Sequence, residues 1–465
     1  MHLHNGKFVK HKALFKNKEF SPFSNVRKSK LYLSAKQICS ILQKNGHESY
    51  FVGGAIRDLL IKPNAIPKDI DLTTSATPDD IFRLFQNTQF VGEAFGVSLV
   101  KINDMQFELT TFRKEGKYKD RRRPESISIG SFLDDANRRD FTMNCLYFDP
   151  IKNKILDPHL GLSDIKNKII RCVGNANDRL YEDSLRILRM ARFSANLHFT
   201  ISNESLEAAK KQSDGISLLS KERILLEFQK VKLGRFYYFF EALNNILEIN
   251  KIIFTNIKME ENNDQNLFYK NPLTIGKIKI ETPYPFFNFL KVFLFSYNIE
   301  LNNYQSIMNE IENWPLCNED KKICLLFLKS ITLKTNLSEN TDIEVLDFIF
   351  FEYLSQINVI TNNLSYGVLI NLSIFVKDSM LKETLYKMIE SNSKENNTKI
   401  NTSEVIKYVE KENLDKKYIS SIIKYLQYIN LKKGVIPKVQ SVIQFKNQFF
   451  KEYFNSLNSN ILKQK

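Results

Sequence analysis

The sequence predicts an α+β protein with an N-terminal head of mixed strands and helices and a long helical region after it. Two observations predict this division. From residue 34 to about residue 173, short apolar runs with strand spacing alternate with segments of helical spacing. Beyond Asp178 the strand pattern fades, and helical spacing interrupted by Asn- and Lys-rich breaks continues to Lys465.

The elements of the head follow from periodicity and from residues that begin helices and turns. Thr77 is a candidate N-cap, Pro78 suits the first helical position, and Asp79 and Asp80 place acids in the first turn. A two-residue turn at 103–104 separates two strands, as in a hairpin. Strands are predicted at Tyr50–Val52, Ile70–Leu72, Val97–Ile102, Gln106–Thr111 and Ile169–Val173, and helices at Leu33–Lys44, Ala55–Leu60, Thr77 to about Phe85, Leu180–Leu197, Ser205–Lys211 and Ser220–Leu233.

Composition and charge restrict the function classes. The 465 residues are 43% hydrophobic and 26% charged, as in ordinary globular proteins. No apolar run approaches the ~18 residues of a membrane span, and Ile343–Leu354, which contains carboxylates, predicts a buried helix. The net charge of +15 suits a polyanionic partner, although a Lys-rich composition alone would also produce it.

The cysteines and the N-terminal segment bear on the compartment. Five cysteines without a Cys-x-x-Cys pair indicate a reducing compartment, and we expect a cytoplasmic protein without a zinc site. The first 30 residues are basic with a single acid, Glu19, and lack the apolar core of a secretory signal. We expect residues 1–33 to form a disordered basic arm.

A glycine pair follows the first predicted strand of the head. Gly53 and Gly54 allow the backbone to approach a ligand closely, and the helix that follows offers free N–H groups to phosphate. Arg57 lies in the first turn of that helix. A plain turn is the alternative interpretation of the two glycines.

Asp69, nine residues after the end of this predicted helix, and Asp71 form a pair of aspartates at i and i+2. On a strand, Asp69 and Asp71 would share one face, and a carboxylate pair on one face suits a divalent metal, typically Mg²⁺. A solvated strand edge is the alternative. Glu108, on a later strand, is either a third metal-binding carboxylate or the partner of a neighbouring arginine. A phosphate cradle beside a metal-binding pair predicts nucleotidyl transfer by in-line displacement.

Two further segments have side chains suited to a nucleotide. Arg138 and Arg139 could clamp a triphosphate, and Asp140 could accept a hydrogen bond from a ribose hydroxyl. Asp183 and Arg186, three residues apart on a predicted helix, are either a surface ion pair or a base-selecting pair. In the second case, the acceptor on Asp183 and the donor on Arg186 would match the hydrogen-bonding edges of the bases C and A and reject those of G and U.

A later helix has three charged side chains on one predicted face. Arg223, Glu227 and Lys230 predict a structural salt-bridge ladder, with support for the base-selecting helix as the functional alternative.

Six motifs in order resemble the class II tRNA nucleotidyltransferases, the CCA-adding enzymes, and their relatives the bacterial poly(A) polymerases. The motifs are FVGGAIRDLL, DIDLTT, the GEAFGV to RRRPES run, RRDFTMN, DPHLGLSD and EDSLRILRMARF, within residues 34–235. The resemblance implies metal-binding carboxylates at Asp69 and Asp71. It also implies a loop at 113–123 that CCA-adding and A-adding members share, and nucleotide contacts from Gly53, Gly54, Arg57, Arg139, Asp140, Asn144, Glu182, Asp183, Arg186 and Arg189.

The resemblance also implies an architecture and an activity. We expect a polymerase-beta-like nucleotidyltransferase head at 34–157, a neck with the base-selecting helix at 158–235, a helical body at 236–390 and an RNA-binding helical tail at 391–465. The expected activity adds C, C and A to a tRNA 3′ end, gripping the acceptor stem and elbow, from CTP and ATP with Mg²⁺ and without a template.

Three alternatives to CCA addition stay open at the level of sequence. They are a poly(A) polymerase, an A-adding enzyme with a separate CC-adding partner, and a catalytically silent RNA-binding protein. Residues 91–97 lack the basic element that poly(A) polymerases carry there, which favours a tRNA enzyme. The sequence leaves the oligomeric state open.

Overall fold

The structure is a computed structural model that divides into two compact units. The first comprises residues 1–227 and 241–248, and the second 228–240 and 249–465. The division into five predicted domains stays a prediction. The described residues are 2–4, 7–9, 22–90, 97–116, 118, 121, 124–247, 259–261, 284–299, 301–332, 343–361, 381, 383–388, 400–411 and 418–433.

A seven-stranded mixed sheet forms the centre of the first unit, in the order β11-β10-β3-β4-β7-β6-β5. Strands β4 and β7 run parallel, and the other neighbouring strands run antiparallel. The strands of this unit are β1 (His2–His4), β2 (Lys7–Val9), β3 (Ser49–Val52), β4 (Asp71–Thr74), β5 (Thr88–Phe90), β6 (Val97–Ile102), β7 (Met105–Thr111), β8 (Arg113–Glu115), β9 (Ile127–Ile129), β10 (Tyr147–Asp149), β11 (Lys154–Leu156), β12 (Ile169–Ile170) and β13 (Thr200–Ile201).

Side-chain caps explain where several helices begin. Ser29 caps α1, and capping boxes pair Thr77 with Asp80 at the start of α3 and Ser131 with Asp134 at the start of α4. The helices up to residue 244 are α1 (Lys30–Lys44), α2 (Gly54–Ile61), α3 (Pro78–Leu84), α4 (Phe132–Asn137), α5 (Gly161–Asn167), α6 (Ala176–Glu182), α7 (Leu185–Leu197), α8 (Asn203–Gln212), α9 (Lys221–Gln229) and α10 (Phe236–Asn244).

Most predicted elements of the head are confirmed, with shifted ends. The hairpin β6–β7 is confirmed, and Asn103 and Asp104 at its turn both have φ above +50°, as a tight hairpin turn of this hand requires. Helix α1 begins three residues before the predicted Leu33. Phe23 is fully buried in the core of the head, so packing begins within the segment expected to be a disordered arm.

The predicted continuous helix Leu180–Leu197 is wrong. It is interrupted between α6 and α7, because Asp183 adopts an extended backbone with φ −142° and ψ 102°. Its carboxylate accepts a hydrogen bond from the backbone N–H of Leu185 at 3.2 Å. A short acidic side chain that bonds nearby backbone competes with helix formation in this way. Asp183 is therefore the residue at which α6 ends, and α7 begins at Leu185.

The described part of the second unit is mostly helical. Its elements are β14 (Met259–Glu261), α11 (Pro285–Ser296), β15 (Tyr297–Ile299), α12 (Leu301–Glu312), α13 (Asn318–Ile331), α14 (Ile343–Thr361), α15 (Thr402–Lys411) and α16 (Tyr418–Lys433). The predicted buried helix lies within α14, where Phe348 and Ile349 are buried. Within the described residues, no helix is long and apolar enough to cross a membrane.

Buried carboxylates connect helices of the second unit. Asp347 is fully buried and accepts hydrogen bonds from Thr384 at 2.5 Å and Tyr428 at 2.8 Å, while Lys432 lies 2.8 Å away. Asp320 accepts the backbone N–H groups of residues 286 and 287 at the start of α11. Buried carboxylates with such partners hold their helices in one arrangement.

Candidate active site

The two candidate metal-binding aspartates lie where β4 begins. Asp71 is the first residue of β4, whereas Asp69 precedes the strand, so the expectation that both lie on one strand is wrong. Gly53, at the turn between β3 and α2, has φ +77°, a conformation that favours glycine. A Cβ there would lie 3.7 Å from Asp71 Oδ2, so the glycine turn and this carboxylate are adjacent.

The electrostatics at Asp71 indicate a place for a cation. Although Asp71 is accessible, the surrounding protein reduces its hydration, and this is the main reason that its pKa rises to about 6. The negative charges of Asp69 and then Glu108 raise the pKa further, and Arg139 opposes them. Carboxylates that repel one another in this way are stabilised by a shared cation.

Glu108 lies beside Asp71 on the neighbouring strand. Strands β4 and β7 run parallel, with Leu72 opposite Leu109. Asp71 and Glu108 each come directly before one of these paired residues, so their carboxylates lie on neighbouring strands at the same level. Across the described parts of the chain, no three or more His, Cys, Asp or Glu side chains are grouped as metal ligands. Glu108 therefore acts on Asp71 through its charge, and its role as a metal ligand stays a prediction.

Arg57 extends from the first turn of α2 into a buried polar network. Its side chain is 10% exposed, its Nε donates to Asp58 at 2.8 Å, and its Nη1 donates to Asn144 at 2.6 Å. A Cβ at Gly54 would lie 3.7 Å from Arg57 Nη2, so the second glycine leaves room beside the guanidinium. The sequence-predicted Gly53, Gly54, Arg57 and Asn144 are thus brought together.

Asp140 joins this network to Arg189 of α7. It accepts Asn144 Nδ2 at 3.0 Å and its neighbour's backbone N–H at 2.7 Å, while Arg189 Nη2 donates to it at 2.6 Å. Burial acts to raise the pKa of Asp140, but Arg189 and the hydrogen bond from Asn144 outweigh it and lower the pKa to about 2. Asp140 is therefore an ionised acceptor at every physiological pH.

The two arginines at 138 and 139 are held by a carboxylate that sequence analysis missed. Asp135 is fully buried and accepts Arg138 Nη2 at 2.5 Å, Arg139 Nη2 at 2.9 Å and the Tyr147 hydroxyl at 2.7 Å. Both arginines are therefore already paired with a carboxylate, and the expectation that they clamp a triphosphate stays a prediction. The spacings i,i+3 and i,i+4 from Asp135 are the sequence signal that could have shown it.

The predicted ion pair between Asp183 and Arg186 is not formed. Arg186 Nη1 donates to Glu182 at 3.0 Å and to the carbonyl of residue 179, and its Nη2 donates to the Arg138 carbonyl at 3.1 Å. Asp183 instead lies 3.1 Å from Arg223 Nη2. The helix break at Asp183 separates the two side chains, so each has its own supporting partner.

Comparison with known proteins relates the first half of the chain to enzymes that extend RNA. Residues 49–171 match the family described as Poly A polymerase head domain. Over 205 residues the chain is 44% identical to a CCA-adding enzyme of Staphylococcus aureus strain MRSA252 and 43% identical to that of strain Newman. The resemblance predicted from the motifs is confirmed. These alignments cover 44% of this chain, and the chain spans about half the length of the curated relatives it matches.

Solved structures extend the likeness in fold over most of the chain. The Bacillus stearothermophilus CCA-adding enzyme in complex with CTP aligns with a TM-score of 0.56 and 22% identity, covering 91% of this chain and 99% of that one. The Thermotoga maritima CCA-adding enzyme complexed with tRNA aligns with a TM-score of 0.60 and 16% identity, covering 91% and 97%. The predicted polymerase-beta-like head followed by a helical region is confirmed as the fold.

The loop implied by the likeness to CCA-adding enzymes is described in part, at 113–116, 118 and 121. The Tyr118 hydroxyl donates to Glu115 at 2.5 Å, and the Arg121 guanidinium lies 4.5 Å from the Tyr181 ring centre. The described part of the loop therefore contacts α6. Residues 91–96, which favoured a tRNA enzyme over a poly(A) polymerase, lie outside the described residues.

Helix α9 contacts both Asp183 and α7, the segment predicted to select the base. Glu227 is 1% exposed and accepts Arg192 Nε at 2.6 Å, and Arg223 bonds Asp183 as described above. These contacts of Arg223 and Glu227 lead out of α9, and the salt-bridge ladder predicted within that helix stays a prediction. Support for the neighbouring helix, the alternative interpretation, fits their contacts.

Proposed function

We propose that this protein is a nucleotidyltransferase that adds C, C and A to the 3′ end of tRNA from CTP and ATP and releases pyrophosphate. One observation is the principal support: Asp71, whose pKa is raised by reduced hydration and then by the nearby charge of Asp69, lies beside the Gly53 turn that leads into the helix of the buried Arg57. This arrangement supplies the parts that nucleotidyl transfer needs, a cation site next to a phosphate site. The CCA-adding relatives of the head suggest which reaction the site performs.

The donor set at β4 fits Mg²⁺. This ion is usually bound by one or two carboxylates together with waters and substrate phosphates, so the pair Asp69 and Asp71 is sufficient without a third protein ligand. The raised pKa of Asp71 supports the assignment, because a divalent cation would relieve its repulsion from Asp69 and Glu108. When bound, the ion would stabilise negative charge on the phosphoryl oxygens and promote loss of the proton of the attacking hydroxyl.

The protein itself would orient the nucleotide around this pair. The turn at Gly53 and the start of α2 place backbone N–H groups where a triphosphate can approach. Arg57 has five N–H groups, and its bonds to Asp58 and Asn144 leave donors for phosphate oxygens. Asp140, held as a carboxylate, is an acceptor for a ribose hydroxyl.

Arg186 and Asp183 would select the base at the neck. Arg186 is 8% exposed at its side chain and already bonds Glu182 and two backbone carbonyls, so its guanidinium is fixed before a base arrives. Asp183 supplies only acceptors, and Arg186 supplies only donors. Cytosine and adenine match this pattern, whereas guanine and uracil present N–H and carbonyl groups in the corresponding places.

The net charge and composition suit a tRNA partner. A charge of +15 on 465 residues favours a polyanion, and helices rich in Lys continue through the second unit. The tail proposed at 391–465 would contribute to this contact, with residues 434–465 outside the described part. The five cysteines without disulfide pairs suit a cytoplasmic protein.

Two other reactions that extend RNA share the same chemistry. A poly(A) polymerase or an A-adding enzyme with a separate CC-adding partner would use the same carboxylates, and only the products distinguish them. A silent RNA-binding protein is disfavoured because binding alone needs neither carboxylates that repel one another nor a buried arginine beside them.

The metal pair provides a direct test of catalysis. Asp69→Ala and Asp71→Ala should each abolish nucleotide addition to tRNA while leaving tRNA binding intact, because one carboxylate does not hold the ion in place. Asp79→Ala, an exposed aspartate in the first turn of α3, is the matched control and should retain wild-type addition. Addition by the first two variants within a few-fold of wild type would overturn the assignment.

A further inference from the structure

Three arginine side chains surround the ring of Phe193. The guanidinium carbons lie 4.9 Å (Arg57), 5.5 Å (Arg189) and 4.1 Å (Arg192) from the ring centre. All three distances are within the ~6 Å at which a cation is attracted to the negative face of an aromatic ring. Phe193 is 6% exposed, so solvent screens this attraction only weakly.

Each of the three cations also has a carboxylate partner. Arg57 bonds Asp58, Arg189 bonds Asp140, and Arg192 bonds Glu227. Like charges placed this close repel one another, and the carboxylates and the ring together offset that repulsion. The three arginines belong to α2 and α7, so Phe193 joins the helix on the phosphate side of the site to the neck.

An aromatic ring positions an arginine differently from a carboxylate. A carboxylate holds a guanidinium by occupying its N–H groups, whereas a ring attracts the cation through its π face and leaves those donors available. Arg57 and Arg189 would both need unoccupied N–H groups to contact a bound nucleotide. A ring beside them is therefore suited to a site where the arginine donors must be kept for a ligand.

We propose that Phe193 is a positioning residue for the triphosphate and ribose of the incoming nucleotide, acting through Arg57 and Arg189. The inference rests on the proposed function and deepens it, because it assigns a role in nucleotide binding to an apolar side chain that touches no substrate. The competing explanation is that Phe193 is an ordinary core residue, since its ring also packs edge-on against Phe141 at 5.8 Å.

A fluorinated series separates the two explanations. Phenylalanine carrying one, two or three ring fluorines at position 193 keeps nearly the same shape while its negative π face weakens stepwise. The KM values for CTP and ATP should rise stepwise by the same factor, because phosphate and ribose are common to both nucleotides, and kcat should change little. Equal KM values across the series would overturn the proposal.

Two substitutions complete the design. Phe193→Leu removes the π face and should raise both KM values by about five- to tenfold, the size expected for losing two cation–π contacts. Phe85→Leu is the matched control, since Phe85 is also 6% exposed in the head core. It should lower the melting temperature by a similar amount without changing KM. If Phe85→Leu raised KM equally, general destabilisation would explain the effect and the proposal would fail.

Nucleotide binding measured by calorimetry with CTP and Mg²⁺ separates this inference from the function on which it rests. If wild type binds CTP but adds no nucleotide to tRNA, the proposed function fails, and the fluorinated series still tests Phe193 through the dissociation constant. That constant should rise stepwise along the series. If wild type does not bind CTP or ATP, both proposals fail.

Discussion

Replacing Asp135 by Asn should destabilise the head strongly, although Asn has nearly the same shape. The carboxylate is fully buried and bonds Arg138, Arg139 and the Tyr147 hydroxyl. Burial acts to raise the pKa of Asp135, but Arg139 and Arg138 outweigh it, and the pKa is lowered. Asn would remove this anion from two largely buried guanidinium groups, so that Arg138 keeps only its 3.8 Å contact with Glu115, and the amide N–H groups of Asn would face both arginines.

The magnitude follows from the loss of one partner of a buried ion pair, which typically costs about 3–5 kcal/mol. The control is Asp134→Asn in the same helix α4. Asp134 bonds Ser131 at the partly exposed start of the helix, and the loss of such a cap typically costs about 1 kcal/mol. The substitutions Asp135→Asn and Asp134→Asn, at adjacent positions, should thus lower the free energy of unfolding by amounts that differ several-fold.

Amide hydrogen exchange of peptides from α4 and β10 is the appropriate assay. Tryptophan fluorescence does not report on the head, because the chain has a single tryptophan, Trp314, in the second unit. A loss of 3–5 kcal/mol would lower protection by a factor of about a hundred to several thousand, if exchange occurs by unfolding of the head. Equal protection in the two variants would refute the view that Asp135 anchors both arginines.

Three other predictions concern the charges of the site and the RNA partner. Affinity for tRNA should fall by orders of magnitude between about 50 and 200 mM salt, measured by filter binding, and a flat response would show that the +15 charge is compositional. Because the pKa of Asp140 falls from 3.8 to about 2 on folding, its ionised form stabilises the fold above pH 4. Acid titration of unfolding should show about 2 kcal/mol of this stability lost as the pH falls from above 4 to 2, and no such loss in Asp140→Asn. Arg186→Ala should lower the rates of C and A addition roughly ten- to hundredfold. Arg223→Met removes the side chain that holds the Asp183 carboxylate and should weaken the exclusion of UTP. Unchanged selectivity among the four nucleotides in both variants would place base selection elsewhere.

Local signals in the sequence were sufficient for much of the head. The N-cap at Thr77, the two-residue turn at Asn103-Asp104 and the glycine turn at Gly53 depend on neighbours in the chain, and each is present in the structure. The residues around the site were recognised because their motifs are short and contiguous. Such features need no knowledge of the tertiary fold.

The long-range partners of Asp183 and Arg57 were not predictable from spacing alone. Asp183 and Arg186 have the spacing of a helical pair, but Asp183 ends one helix and bonds Arg223, 40 residues later. Arg57 bonds Asn144 across 87 residues. Long-range pairs of this kind depend on how α2, α7 and α9 pack, which the periodicity of a single sequence does not contain.

The lengths of the products formed on a tRNA that ends at its discriminator base test the central claim most directly. The substrate is incubated with CTP alone, with ATP alone and with both, and the products are resolved at single-nucleotide length. An enzyme that adds C, C and A should add two residues with CTP alone, and about three with both nucleotides before it stops. A long adenosine tail with ATP, or extension only of tRNA that already ends in CC, would contradict it.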